Sequence, residues 1–236
     1  GNVHWASSLE DVSSNQQRAK MYDEMSRVMA AIHSVDLEKV GLSDYGRPGN
    51  YFQRQCDRWS AQYKASELKP IPEMNQVIEW LGNNIPEDDG KVSLVHGDYR
   101  LDNLMFSADN ERVIAVLDWE LSTLGHPYAD LAYQCMGMRL PSGNGPGASS
   151  GLLGVDTQAL GIPSEQDYID SYCQRMGIDK LDNWNFYLAF SFFRLAAIAQ
   201  GVAKRAADGN ASSKAAGGIA TMVQPIAANA LAIING

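Results

Sequence analysis

The sequence predicts an α+β chain, mainly helical, with a small β element between two helical blocks. Apolar residues recur at helical spacing through the first third, short β-prone runs cluster between Lys91 and Leu117, and the carboxy-terminal part returns to long apolar and Ala-rich stretches. From Ser13 to His33, Met21, Met25, Val28, Met29 and Ile32 follow the spacing of one buried helix face. Ser43-Asp44-Tyr45-Gly46-Arg47-Pro48-Gly49 has the composition of a turn, and helices are expected over Tyr51 to Ser66 and from Pro72 to about Gly82. Lys91–Val95, Leu104–Phe106 and Val113–Leu117 are strand candidates, the last a buried one, with Asp109-Asn110 turning a hairpin.

A helix over Asp130–Arg139 is expected next, then a Gly/Ser/Pro-rich loop over Pro141–Gly154. Another helix should start at a Ser164 cap, with Asp167 at the capping-box offset, and end at Met176. Trp184–Ala206 reads as a core helix rich in aromatics, some of which would suit an acceptor pocket. Ser212–Ile234 holds Gly217, Gly218 and Pro225 and should be broken or kinked. No linker separates two self-sufficient halves, so residues 1–236 are expected to form one domain.

Composition narrows the function. Lys and Arg number 19 against 28 Asp and Glu, and a net charge of −9 repels a phosphate backbone, so no nucleic-acid partner is expected. No uninterrupted apolar run approaches the roughly 18 residues of a membrane span, so no membrane partner is expected either. Cys56, Cys135 and Cys173 are odd in number, widely spaced and lack a CxxC, which suits reduced thiols and a cytoplasmic or similarly reducing compartment. His4, His33 and His126 show no metal-ligand spacing, so zinc is not expected.

The chemistry concentrates in Val95-His96-Gly97-Asp98-Tyr99-Arg100-Leu101-Asp102-Asn103-Leu104 and in Val116-Leu117-Asp118-Trp119-Glu120. A carboxylate and an amide five residues apart leave one β element, and a second carboxylate emerges from the next strand. Phosphoryl transfer uses such a set: an Asp orients an acceptor hydroxyl and takes its proton, while Asn and Asp supply hard oxygen ligands for Mg²⁺ on nucleotide phosphates. Asp98 is the candidate base, and Asn103 and Asp118 are the candidate metal and nucleotide ligands. His96 is expected to support the loop backbone, Arg100 to face an acceptor or a phosphate, and Glu120 to stand beside the metal.

These two segments resemble the aminoglycoside phosphotransferase and choline-kinase-like branch of the protein-kinase fold. HGDYRLDN is similar to its HGDxxxxN catalytic loop, and LDWE to its hydrophobic-Asp-aromatic-Glu metal segment. Gly125-His126-Pro127-Tyr128-Ala129-Asp130-Leu131-Ala132 resembles the family's G-x-P-x-x-D-L-A segment, which implies a buried, loop-supporting role for Asp130. AAIHSVD, YGRPGNYFQRQCDRW and GIPSEQDYIDSYCQRMG look like the kinase-like domains fused to acyl-CoA dehydrogenases and their free-standing bacterial relatives. The resemblance runs from about Gln16 to Ile198.

It implies a small-molecule kinase with ATP as co-substrate, Mg²⁺ as cofactor and a hydroxyl-bearing acyl or other metabolite as acceptor. It also implies an amino-terminal lobe bearing a phosphate-pairing Lys, its Glu partner and a phosphate-covering loop. Lys20, Lys39, Lys64 and Lys69 lie in helical or turn contexts and no G-x-G-x-x-G occurs, so the chain reads as the carboxy-terminal lobe only, cut near Gly1. That reading predicts low activity without the missing amino-terminal lobe, and a homodimer through the exposed lobe surface. The alternative is a pseudokinase or interaction module without turnover. A phosphatase using Asp98 and Asp118 is disfavoured because such sites need more ligands.

Overall fold

The computed structural model describes residues 1–142, 151–209 and 216–236; the middle of the Pro141–Gly154 loop and the beginning of the Ser212–Ile234 stretch lie outside the described residues. In chain order the elements are β1 (Asn2–Val3), α1 (Asn15–His33), α2 (Tyr51–Ser66), α3 (Pro72–Asn83), β2 (Ser93–Val95), β3 (Leu104–Phe106), β4 (Val113–Val116), β5 (Thr123–Gly125), α4 (Tyr128–Arg139), α5 (Thr157–Leu160), α6 (Glu165–Met176), α7 (Trp184–Ala207), α8 (Ala216–Ile219) and α9 (Val223–Asn235). Single 3₁₀ turns cover Leu101–Asn103, Trp119–Leu121 and Ala220–Met222. The α+β, mainly helical class expected from the sequence is the class observed.

The chain divides into two compact units. Within the described residues, the first holds 1–49 and 90–182, and the second holds 50–89 and 183–236.

In the first unit, α1 begins where the Ser14 hydroxyl accepts the Gln17 amide, satisfying one of the helix's orphan donors. Its stripe of Met21, Met25 and Met29 is fully buried, and α1 packs against α6 and β2. Ser164 and Asp167 form the expected capping box at the start of α6. Two small antiparallel sheets carry the loops. One has the order β1-β3-β4, and the other pairs β2 with β5. Strands β1 and β5 were not expected: one is two residues long and the other three, too short to show an alternation.

The expectation for Val113–Leu117 needs correction. β4 spans Val113–Val116, lies at a sheet edge and is half-exposed, with Ile114 at 57% exposure. A continuous apolar run does not distinguish an edge strand from a central one.

The second unit is all-helical, with α7 packed against α2, α3 and α9. Phe186, Tyr187, Phe190, Phe192 and Phe193 are buried, and the Phe52 ring of α2 meets the first three edge-on or tilted at 4.9–5.5 Å. By length and composition α7 is apolar enough to cross a membrane, yet 78% of its most apolar stretch is buried in the protein. The break expected after Ser212 is present: α8, a 3₁₀ turn and α9 follow one another, and Pro225 sits in the first turn of α9, where a missing N–H costs no intrahelical bond.

Candidate active site

Two strand ends build the site. β3 pairs with β4, Leu104 opposite Val116, and the Leu117 amide donates to the Asn103 carbonyl at 2.8 Å. This places Asn103 beside the residue preceding Asp118. β2 pairs with β5, Val95 opposite Thr123, and releases the chain into the His96–Arg100 loop.

His96 joins the two loops. It is fully buried; its Nε2–H donates to the Leu117 carbonyl at 2.8 Å, and its Nδ1 accepts the Asp98 amide at 3.2 Å. These roles require a neutral Nε2–H imidazole. The ring also lies 4.8 Å from that of Trp119.

Asp130, in the first turn of α4, anchors the loop from below. Its Oδ2 accepts the His96 amide at 2.7 Å and its Oδ1 accepts the Gly97 amide at 2.8 Å. Burial works to raise its pKa, but the His33 contact and the two amides outweigh it and hold the carboxyl below the usual carboxylate range. Gly97 has φ +85, and a Cβ there would lie 2.6 Å from the Leu121 carbonyl oxygen.

The Asn103 Nδ2 donates to the Asp98 carbonyl at 2.8 Å and to its Oδ2 at 3.0 Å. Neither bond uses the Asn103 Oδ1. Arg100 bridges two carboxylates, with Nε 3.4 Å from Asp98 Oδ2 and Nη2 3.1 Å from Asp102 Oδ2. Burial pushes the Asp102 carboxyl up, against the pull of Arg100. The carboxylates of Asp98 and Asp102 are thus largely enclosed, while Arg100 is half-exposed.

Asp118 is exposed and left-handed, with φ 60 and ψ 62, at the start of the Trp119–Leu121 turn. Among the described residues its carboxylate takes no hydrogen bond and no ion pair. A backbone conformation uncommon outside glycine thus holds an uncommitted carboxylate in the open. Glu120 is exposed, and among the described residues no bond joins it to Asp98, Asn103 or Asp118.

Two participants were missed by sequence reasoning. His33 donates from Nε2 to Asp130 Oδ2 at 3.1 Å, and its Nδ1 meets the Tyr172 hydroxyl at 2.7 Å. The signal was present: His33 follows Met21, Met25 and Met29 at four-residue steps, a polar residue on a buried stripe. Tyr172 carried no comparable signal, since a core tyrosine on an amphipathic helix is ordinary.

Among the described residues no cluster of three or more His, Cys, Asp or Glu is arranged to hold a metal. The available donor set is instead one amide oxygen and one carboxylate.

Residues 3–154 match the family model of the Phosphotransferase enzyme family (APH). The chain is 49% identical over 200 residues to acyl-CoA dehydrogenase family member 10 of Mus musculus, covering 85% of this chain and 18% of that protein. It therefore spans under a fifth of this relative's length. A crystal structure of a candidate aminoglycoside phosphotransferase from Ralstonia eutropha superposes with a TM-score of 0.92 at 50% identity, covering 99% of this chain and 70% of that one. A spectinomycin phosphotransferase solved with ADP and spectinomycin shares the fold at a TM-score of 0.58 and 13% identity, over 97% of this chain and 68% of that one. With the family match across most of its length and a half-identical solved relative, this chain belongs to the phosphotransferase enzyme family.

Proposed function

We propose that this chain is the catalytic and acceptor-binding part of an ATP-dependent kinase that phosphorylates a hydroxyl of a small molecule. The observation that carries the reading is the Asp98–Asn103 pair hydrogen-bonded on one loop, with the uncommitted Asp118 following Leu117, whose amide bonds to the Asn103 carbonyl. Asn103 Nδ2 and the Arg100 Nε both face Asp98 Oδ2, which leaves Oδ1 for the acceptor. In the proposed reaction Asp98 takes the hydroxyl proton, the oxygen bonds to the terminal phosphorus, the bond to the bridging oxygen breaks, and ADP leaves. The free Asn103 Oδ1 and the Asp118 carboxylate are hard oxygen donors that fit Mg²⁺, whose bound charge would offset that of the nucleotide phosphates.

The spectinomycin enzyme's ADP complex supports a nucleotide co-substrate. The partial coverage of the relatives supports a nucleotide-binding lobe supplied by chain outside these residues, and with it low activity for these residues alone. Calorimetric titration of Mg-ATP into the 236-residue chain and into an amino-terminally extended form tests this. The extended form should bind at least about tenfold more tightly, and Asp118→Asn should abolish the difference; ADP release should fall by about 10²- to 10⁴-fold in Asp98→Asn. Mg-ATP binding without turnover in the extended form would point instead to an interaction module.

A further inference from the structure

We propose that Tyr45 is a positioning residue for Asp118: its hydroxyl ties the Ser43–Gly49 segment to the 3₁₀ turn that presents the Asp118 carboxylate, and so keeps that carboxylate in one orientation. The inference rests on the phosphotransfer reading for the metal that Asp118 would hold; the tie between the two segments does not depend on it.

Asp118 needs support from its neighbours. Its left-handed backbone, φ 60 and ψ 62, is costly for a residue other than glycine, and its exposed side chain makes no cap bond. The residue before it is fixed, because the Leu117 amide donates to the Asn103 carbonyl and the Leu117 carbonyl accepts from His96. On the far side, the Trp119 carbonyl accepts twice from Ser122, from the amide at 3.0 Å and from the hydroxyl at 2.6 Å. Ser122 therefore closes the turn, and a group that holds Ser122 steadies the stretch that begins at Asp118.

Tyr45 is that group. Its hydroxyl oxygen lies 2.5 Å from Ser122 Oγ, although the two residues are 77 positions apart in the chain. A carbonyl can only accept, so the Ser122 hydrogen is committed to Trp119 and the Tyr45 O–H donates to Ser122 Oγ. The two bonds run in one direction, Tyr45 to Ser122 to Trp119, and each polarises the next. Gly46 shows how the tyrosine is delivered: a Cβ on Gly46 would lie 2.6 Å from both the Leu124 amide nitrogen and Thr123 Oγ1, so this backbone rests directly on the start of β5. Tyr45 is 45% exposed, which is open for a residue serving only as core, and among the described residues no bond joins it to Asp98, Asn103 or Asp118. Its action on Asp118 runs through Ser122. One neutral hydrogen bond shifts an equilibrium by about three- to tenfold, and a turn that spends less time in its binding geometry loses apparent affinity by the same factor.

The test uses the amino-terminally extended protein. Mn²⁺ in the presence of ADP is the probe, read by the electron paramagnetic resonance of free Mn²⁺, and residue-resolved amide hydrogen exchange is the readout without metal. Tyr45→Phe should weaken Mn²⁺ binding about three- to tenfold and speed exchange of the Ser122 amide by a similar factor, while ADP binding without metal stays within about twofold and the α6 amides keep their protection. Gly46→Ala, which pushes the segment off β5 with the phenol intact, should do the same. Ser122→Ala removes the relay, so adding Tyr45→Phe to it should weaken Mn²⁺ binding by less than about twofold more. Should Gly46→Ala fail to fold, the Tyr45 and Ser122 variants decide.

Where the wild type binds Mn²⁺, either readout left unchanged in Tyr45→Phe overturns the proposal. So does a loss in the double variant as large as the two single losses combined, which means that Tyr45 acts by another route. A rise in exchange spread evenly over α1 and α6 marks plain destabilisation and overturns it too. Absence of Mn²⁺ binding in the wild-type extended protein counts against the kinase reading, and Ser122 exchange alone then decides the role of Tyr45.

Discussion

Gly97 combines a φ of +85 with a carbonyl oxygen 2.6 Å from where a Cβ would stand. Gly97→Ala therefore strains the backbone and collides with an atom that belongs to the Trp119–Leu121 turn, displacing both loops at once. The expected outcome is a fall in stability of about 1–3 kcal/mol together with loss of turnover, read by thermal melting and ADP release. Asp130 makes the opposite kind of contribution, through charge. Its folded-state pKa is depressed, so its stabilisation is fully present above the ordinary carboxylate range and is lost as pH falls through the lower folded value. Asp130→Asn should flatten the acid limb of the melting temperature between about pH 5 and pH 2, leaving a protein less stable near neutrality. An acid limb identical to that of the wild type would show that Asp130 carries no such linkage.

At the scale of elements, α1 bonds both to Asp130, which carries the catalytic loop, and to the start of β4, the strand that leads to Asp118. Its carboxy-terminal end reaches the catalytic loop through His33, while Glu24 near its middle accepts the Val113 amide at 3.1 Å, a two-pronged Arg27 contact at 2.6 and 2.7 Å, and Arg112 at 3.3 Å. Burial opposes the Glu24 charge, yet these partners keep the carboxyl below its usual range. Glu24→Gln should cost about 2 kcal/mol by denaturant unfolding, since it weakens charge-assisted bonds to a side chain only 7% exposed. At the start of α6, Ser164→Ala should cost about 1 kcal/mol through loss of the cap. Most of the long helices were legible: α1, α2 and α6 begin and end within a residue or two of where the sequence places them, α1 and α6 with a side-chain cap and α2 without one, whereas the short α5 was not expected. Asp98, Asn103 and Asp118 were legible as a spacing. What escaped depends on contacts distant in the chain. The Asp130–His33 bond joins residues 97 positions apart, and β1 exists only because Asn2 and Val3 meet Phe106 and Met105. The edge position of β4 is likewise set by sheet order, which no local pattern encodes.

At the scale of the whole molecule, the chain divides into two compact units, and the candidate site residues lie in the first. That unit leaves Trp5 74% exposed, Ile114 57% and Leu121 43%. Large apolar side chains left in water favour association, so the 236-residue chain is expected to self-associate in light scattering as concentration rises, and Trp5→Ser/Ile114→Thr should shift it toward monomer. A wild-type chain that scatters as a monomer at high concentration would remove this expectation. The left-handed backbone at Asp118 admits Asp, Asn and Gly far more readily than other residues. In the genetic code both of Asp's permitted alternatives lie a single base change away. A lineage can thus silence the proposed metal ligand in one mutational step without disturbing the turn that holds it, leaving a folded protein with a new occupation open to it.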